Sequence, residues 1–359
     1  MDVYVLNQDK KIFSILDQYE SFIWTDRYDS AGDFEFYTQF DPSFLDIFQK
    51  DYYLKIPASD RTMIIEDWSI SSDIENGTIF KAVGRSLESL LQRRIVWNQT
   101  RIVGSVQNGI KKILDRNVIS PSNNARKIPN LSFRINDDAD IVAMDDIDAQ
   151  FTGDLVYDAV QSMCQSYDLG FRIRMTNLGD FVFDLYNADD RSFNNDNNNP
   201  FVIFSPDFDN LLTSDYKVVN SEFKNVARIG GQGEGSERKY ANVGTASGMD
   251  RRELFVDAND ISLTYTDEDT GESVTVSDTE YTNQLKQRGN EKLAEVAAYA
   301  TFEGEADTSG VFKYGTDFFL GDIVQIRNEY GIESRSRVSE IIFSQDVSGF
   351  TAIPTFRAV

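Results

Sequence analysis

Asp207-Phe-Asp-Asn-Leu-Leu-Thr-Ser-Asp-Tyr-Lys-Val-Val-Asn-Ser-Glu-Phe-Lys-Asn-Val-Ala-Arg-Ile-Gly-Gly-Gln-Gly-Glu-Gly235 divides the chain. Tyr216 to Ile229 reads as one long extended run that ends in the cluster Gly230, Gly231, Gly233 and Gly235. Period-two alternation puts Phe223, Ala227 and Ile229 on one face and Lys224 and Arg228 on the other. The glycines can take the positive φ that reverses a chain, and Arg238-Lys239-Tyr240 opens a return strand. The spacing therefore predicts a hairpin between two halves. Before it lies a β-rich segment and then a mixed α/β segment; after it lies a second β-rich segment interrupted by one long helix.

Toward the N-terminus, residues 1 to about 85 are short β-prone runs joined by tight turns: Val3–Leu6, Ile12–Leu16, Ser21–Tyr28, Phe34–Thr38, Tyr52–Ile56, Met63–Ile70 and Thr78–Val83. Asp41 to Phe48, with Pro42 near its start, predicts a short helical turn. Such spacing argues for a small barrel or sandwich. The period changes near Gly84. Ser86–Leu91 starts a helix with Arg93 and Arg94 in its last turn, and Ser105–Asn117 is amphipathic. Leu155, Val156, Ala159, Val160, Met163, Cys164 and Tyr167 form the strongest helical stripe in the chain. At roughly 1.5–3 kcal/mol per large buried side chain, that stripe must pack, and the hairpin Phe171–Arg174 with Phe181–Leu185 is its expected partner. Asn194 to Pro200 is a polar low-complexity loop.

Toward the C-terminus, Glu253–Val256 and Ile261–Tyr265 are strand-like. Ser277-Asp-Thr-Glu280 is a capping box that opens a helix running to about Ala300, with Gly289 placed for a close neighbour. Strands resume at Phe318–Ile326, Arg337–Phe343 and Phe350–Phe356.

The totals bound the chemistry. The 359 residues carry a net charge of −24, one cysteine and no histidine. A chain this acidic repels nucleic acid and anionic membrane unless its bases cluster, and no run of four basic residues occurs. One cysteine rules out an internal disulfide framework, as in a protein made in a reducing cytoplasm. The absence of histidine removes Ser-His and Cys-His nucleophile pairs, the H-E-x-x-H zinc site and imidazole acid–base work. The N-terminus carries no signal-peptide pattern, and no segment approaches the ~20 apolar residues of a membrane span.

Each remaining motif has a plain structural reading. Gly230 and Gly235 have P-loop spacing, but Ser236 stands where the lysine is needed and Glu237 follows, which is wrong electrostatics for a phosphate cradle. Cys164 sits mid-stripe and reads as a small hydrophobe. The acidic loops Asp137–Asp140, Asp145–Asp148 and Asp267–Asp269 lack EF-hand spacing and read as solvated turns, with a weak Ca²⁺ site as the lesser reading. Trp24, Tyr28, Trp68 and Trp97 are either sugar-stacking or interface aromatics, or core. No catalytic, cofactor-binding or metal-binding residue is assigned. A glycosidase needs only two carboxylates at a set separation, and 59 acidic residues neither select nor exclude such a pair.

Several motifs in order resemble the tail hub proteins of long-tailed bacteriophages and prophages. They are Phe22-Ile-Trp-Thr-Asp-Arg-Tyr28, Gly32-Asp-Phe-Glu-Phe36, Gly84-Arg-Ser-Leu-Glu-Ser-Leu-Leu91, Asn225 to Gly235, Leu285-Lys-Gln-Arg-Gly289 and Leu320-Gly-Asp-Ile-Val324. The resemblance implies a β-rich α+β fold of two β-barrel domains, each with an insert, in a ring-forming homotrimer. It places a first barrel at 1–85, completed by about 201–214, and an α/β insert at 86–200. It places the second barrel at 215–275 and 310–359, with a helical insert at 276–309. The implied function is a structural hub of the tail tip or baseplate in the virion, made in the host cytoplasm. It would join a sixfold tail tube or distal tail ring to a threefold tip and let DNA pass at ejection without specific binding. The implied partners are further copies, the distal tail, tail tube and tape-measure proteins, and a receptor-binding or spike protein; no membrane insertion or cofactor is implied. The resemblance ends the second barrel near Val359, so a lysin or host-binding fibre would be another chain. The alternative class is a tail-associated cell-wall hydrolase or carbohydrate-binding module.

Overall fold

Alternation at period two builds the first seven strands: β1 (Val3–Leu6), β2 (Ile12–Leu16), β3 (Ser21–Arg27), β4 (Asp33–Gln39), β5 (Tyr53–Lys55), β6 (Met63–Asp73) and β7 (Gly77–Ser86). In β4, Phe34, Phe36 and Thr38 are buried while Asp33, Glu35 and Tyr37 stay partly exposed. A single-turn helix, α1 (Phe44–Ile47), lies between β4 and β5. The structure, a computed structural model, describes residues 1–75, 77–211, 213, 215–266, 272–297, 299–303 and 310–359.

After β7 the chain enters a second layer. A 3₁₀ turn (Leu87–Arg93) stands where a longer helix was expected, and Arg94 is already extended. There follow β8 (Thr100–Ser105), α2 (Val106–Leu114), β9 (Leu131–Arg134), α3 (Ala139–Val142), β10 (Asp146–Phe151), α4 (Val156–Ser166), β11 (Gly170–Met175) and β12 (Phe181–Tyr186). The helical stripe lies on α4, where Val156, Ala159, Val160, Met163 and Cys164 are buried. With Ile110 and Ile113 of α2 and Phe171 and Phe183 of the β11–β12 hairpin they form one core, drawn almost wholly from residues 87–185.

The chain then returns through β13 (Asp190–Arg191), β14 (Ile203–Phe204) and β15 (Asp215–Val219). The extended run expected from Tyr216 to Ile229 is broken here. β15 pairs with a strand of the main sheet, whereas β16 (Val226–Gly230) belongs to a separate three-stranded sheet. The break is held by Asn225, whose Nδ2 donates to Asp250 O at 2.7 Å while its Oδ1 accepts from Arg252 N at 2.9 Å. β16 forms the expected hairpin with β17 (Tyr240–Val243) and lies parallel to β18 (Glu253–Asp257). Gly233, at φ +110°, makes the reversal. The short hairpin β19 (Thr264–Thr266) and β20 (Ser273–Thr275) leads to α5 (Asp278–Glu295), which opens with the Ser277–Glu280 capping box. α5 packs on the small sheet, and a Cβ on Gly289 would stand 2.5 Å from Ile229 Cδ1, so a larger residue there would have to push the Ile229 side chain aside. Ala227, Ile229, Ala241, Val256, Tyr281 and Leu285 make a third core.

α5 stops at Glu295 rather than near Ala300, because β21 (Tyr299–Glu303) is drawn into the main sheet between β15 and the last strand. β22 (Ile323–Arg327), β23 (Glu333–Asp346) and β24 (Gly349–Ala358) complete the chain. The main sheet runs β15-β21-β24-β23-β3-β4-β7-β6-β5-β1-β2, with β22 on β23, and β13 and β14 on β22.

One expectation changes at this point. The path has open ends at β15 and β2, so the described strands of one chain close no barrel. Residues 310–359 join the first β segment as well as β15, which they reach through β21. β23 is bonded to β3 over Glu340–Asp346, and Val324, Val338, Ile341, Phe343 and Phe356 share the core of Phe22, Trp24, Phe36 and Phe80. Strand pairing overrides sequence order because the apolar face of β23 has its complement on β3.

Phe36 is fully buried at the centre of this core, its ring 4.9–6.4 Å from those of Phe22, Phe44, Phe48 and Phe80. We expect Phe36→Ala to lower unfolding free energy by about 3–5 kcal/mol, measured as a fall in the denaturant midpoint without loss of β-sheet signal in the remaining native protein.

Candidate functional site: a polar junction between the layers

The end of β3, the loop before β6, the second layer and the segment around β22–β23 meet in a cluster of buried polar groups. At its centre Arg61 and Glu88, both almost wholly buried, pair at 2.6 Å. Arg61 Nη1 also donates to Phe171 O, and Nη2 donates to Arg27 O at 3.1 Å and to the Tyr186 hydroxyl at 3.0 Å. The same Glu88 oxygen accepts from Ile173 N at 2.7 Å. One ion pair thus ties the main sheet to the 3₁₀ turn and to β11. Burial disfavours the guanidinium charge, but the Tyr186, Glu88, Asp26 and Asp60 oxygens outweigh it and hold Arg61 protonated.

A second clamp lies beside it. Tyr28 donates to Asp168 O at 3.0 Å and meets Tyr186 edge-on at 5.2 Å. The buried Arg337 of β23 lies 4.7 Å over the Tyr28 ring, donates to Gly321 O at 2.7 Å and pairs with the Asp168 carboxylate. Nearby, Asp26 accepts from Trp24 Nε1 at 2.8 Å and from Ser59 Oγ at 2.5 Å. Burial pushes its carboxyl up to about 6, against the pull of Arg61 and of these two hydrogen bonds. A cavity of about 560 Å³ opens here, lined by Asp26, Asp60, Arg172, Tyr186, Tyr314 and Asp322 among others. Its charged groups are spent on one another: Arg172 pairs with Asp60 at 2.8 Å, and Arg191 with Asp322 at 2.7 Å. Chemically, the arrangement holds three parts of the chain in fixed register.

A looser junction joins α5 to the second layer. Arg101 bridges Asp148 and Glu280, Gln284 donates to Asp148, and Arg288 reaches Gln150 O and Asp260. Glu291 is buried beside Arg288 and accepts from Gln287 Nε2 at 3.3 Å. Burial raises its carboxyl to about 7, with Arg288 pulling the other way.

The residues singled out from sequence scatter. Trp24 and Tyr28 are core, whereas Trp68 and Trp97 are exposed. Cys164 is buried in α4, and desolvation pushes its thiol well up. Arg238 fills the glycine loop, donating to Gly230 O and Gly231 O at 2.9 Å each. Asp138 caps α3, Asp140, Asp145 and Asp146 line a shallow open cleft, and Asp148 is taken by Arg101; Asp267–Asp269 lie outside the described residues. Among the described residues no group of three or more acids or thiols could hold a metal ion, and no helix is long and apolar enough to cross a membrane. Sequence reasoning missed Arg61, Glu88, Asp168 and Arg337. The available signal was a charge embedded in an apolar run, as Glu88 is between Leu87 and Leu90-Leu91.

Solved structures share this architecture. The 43 kDa tail protein of prophage MuSo2 from Shewanella oneidensis superposes with a TM-score of 0.57 at 13% identity, covering 100% of this chain and 98% of that one. A tail protein from Neisseria meningitidis MC58 gives 0.57 at 15%, covering 99% and 96%. Prophage tail protein gp18 from Listeria monocytogenes EGD-e gives 0.54 at 11%, covering 100% and 94%. The fold is thus that of phage and prophage tail proteins, β-rich with some helices. The chain belongs to the family described as Siphovirus ReqiPepy6 Gp37-like protein, which it matches over residues 2–356. No curated protein matches it.

Arg61→Met alone leaves Glu88 charged, buried and unpaired, and should cost about 3–5 kcal/mol; Arg61→Met with Glu88→Leu should recover most of that loss in the same urea titration. For Glu291 the folded pKa lies above the unfolded 4.5, so its stabilising contribution is complete below about pH 4.5 and is lost as pH rises through about 7. Glu291→Gln should therefore gain roughly 1–3 kcal/mol on wild type between pH 4.5 and pH 8, read from parallel melts at the two pH values.

Proposed function

We infer that this protein is the structural hub of a phage tail tip or baseplate, a homotrimeric ring located in the virion. The observation that carries this reading is a duplicated feature of the main sheet. The β3–β4 hairpin is flanked on one side by the long hairpin β6–β7 and on the other by the long hairpin β23–β24. Both carry exposed apolar side chains toward their tips: Trp68, Ile70 and Ile74 on one, Val347 and Phe350 on the other. Exposed apolar tips mark surfaces that are covered in an assembly. Two similar hairpins per copy give six in a trimer, which matches a sixfold tube above and a threefold tip below. In this reading each long hairpin is the core of one barrel-like half, and neighbouring copies complete the walls.

The partners proposed on this basis are the distal tail, tail tube and tape-measure proteins and a receptor-binding or spike protein. The net charge of −24 suits a channel through which DNA slides without being held. The role is architectural: the buried charges serve the junctions described above.

Light scattering coupled to size exclusion should give three times the 40.8 kDa chain mass. The same sample should leave purified peptidoglycan intact and show no tight binding of duplex DNA at physiological salt. A monomer that solubilises peptidoglycan would replace this reading with the hydrolase alternative.

A further inference from the structure

The small sheet β16–β18 has two different faces. One is covered by α5; the other is open. Pairing sets Arg228 beside Asn242 on β17 and beside Phe255 on β18, and sets Tyr240 and Asp257 on either side of Gly230. All of these side chains but the absent one at Gly230 are exposed. The Arg228 guanidinium lies 4.4 Å over the Tyr240 ring, and Arg238 reaches across the space at Gly230 toward Tyr240 and Phe255. Arg238 is neutralised by Asp257 at 2.5 Å. Arg228 has no carboxylate within ion-pair distance among the described residues. From Lys224 to Asp257, which takes in all three strands, the chain carries six basic against five acidic residues, a nearly even balance within a protein of −24. With Arg238 paired to Asp257 and Arg251 to Glu253, the open face presents Arg228 as an uncompensated cation set among aromatic rings, on an otherwise strongly anionic molecule.

Its complement is on the same chain. Asp137 to Asp148 contains six aspartates and no base. Asp137, Asp140, Asp145 and Asp146 are exposed and in no ion pair among the described residues, and the apolar Ile135 and Val142 are exposed beside them. This ledge borders α5, whose Gln287 and Asn290 line the same cleft as Asp145 and Asp146. α5 thus stands between the ledge and the open face with Arg228, and the two cannot meet within one chain.

We propose that the open face of β16–β18 docks on the 137–148 ledge of a second copy, Arg228 facing the aspartates and Phe255 facing the exposed aliphatics. Such a contact joins two different patches, so it is head-to-tail and builds a ring when the rotation closes. It rests on the homotrimer reading and specifies how neighbours meet. Complementary charge sets register and partner choice, and like charges placed opposite one another repel strongly.

The test uses the full-length protein in sedimentation or light scattering over a range of protein and salt concentrations. Association should weaken as salt rises. Arg228→Glu, and separately Asp145→Arg with Asp146→Arg, should each weaken association about tenfold or more. Combining Arg228→Glu with Asp146→Arg should restore it, which separates a contact from a folding defect. Should the single variants trimerise as wild type does, the interface is wrong and the trimer stands. A wild type that stays monomeric at every concentration sinks both. Binding of duplex DNA by wild type, lost in Arg228→Glu with the oligomer unchanged, would assign the face to a different anion and overturn the proposal.

Discussion

The bonding of β23 to β3 is the constraint on which the rest depends. It places Arg27 against Glu340, 313 positions apart, at 2.6 Å. Whatever leaves the sheet between those residues must come back to it. The second layer and the α5 unit are two such excursions, each with its own apolar core, and each is fastened where it leaves and returns. An apolar sheet edge would not fix this geometry alone, since apolar contacts are non-directional. Direction comes from the buried polar contacts: Arg61 to Glu88, Tyr28 to Asp168, and Arg337 to Gly321 and Asp168.

These contacts are high-stakes. A buried ion pair gains little net free energy over apolar residues of the same size, yet breaking it is costly. Arg61 satisfies four acceptors from four elements, so the layers have one relative placement in which it is content. The α5 junction is built differently. It is more exposed, and its Glu291 carboxyl changes charge near neutrality. One interface fixes position; the other is sensitive to its surroundings.

Much of the local structure was legible. Strands such as β4 could be read from alternation, α4 from its stripe, the start of α5 from Ser277 and Glu280, and the β16–β17 turn from its glycines. These signals lie within a few residues of what they determine. The misses were long-range. The end of α5 was set too late because Val296 and Ala297 continue a helical pattern, and nothing nearby reveals that β15 and β24 claim residues 299–303. The bonding of β23 to β3 was hidden because a strand's apolar face does not name its partner. Arg61 and Glu88 were passed over because their 27-residue separation hides a contact that only the folded sheet makes. The open face of β16–β18 was half visible, since alternation had already put Arg228 opposite Ala227 and Ile229.

The β3–β23 seam also has a consequence during synthesis. At about 5–20 residues per second, the ribosome takes roughly 15–60 s to travel from Arg27 to Glu340. For that interval β3 is a strand with an empty side, carrying Phe22 and Trp24, in a nascent chain surrounded by others like it. Long-range strand pairing is slow and leaves apolar edges open to wrong partners. The second layer can meanwhile collapse on its own core, and the accumulating negative charge keeps nascent neighbours apart until the last strands emerge to seal the sheet.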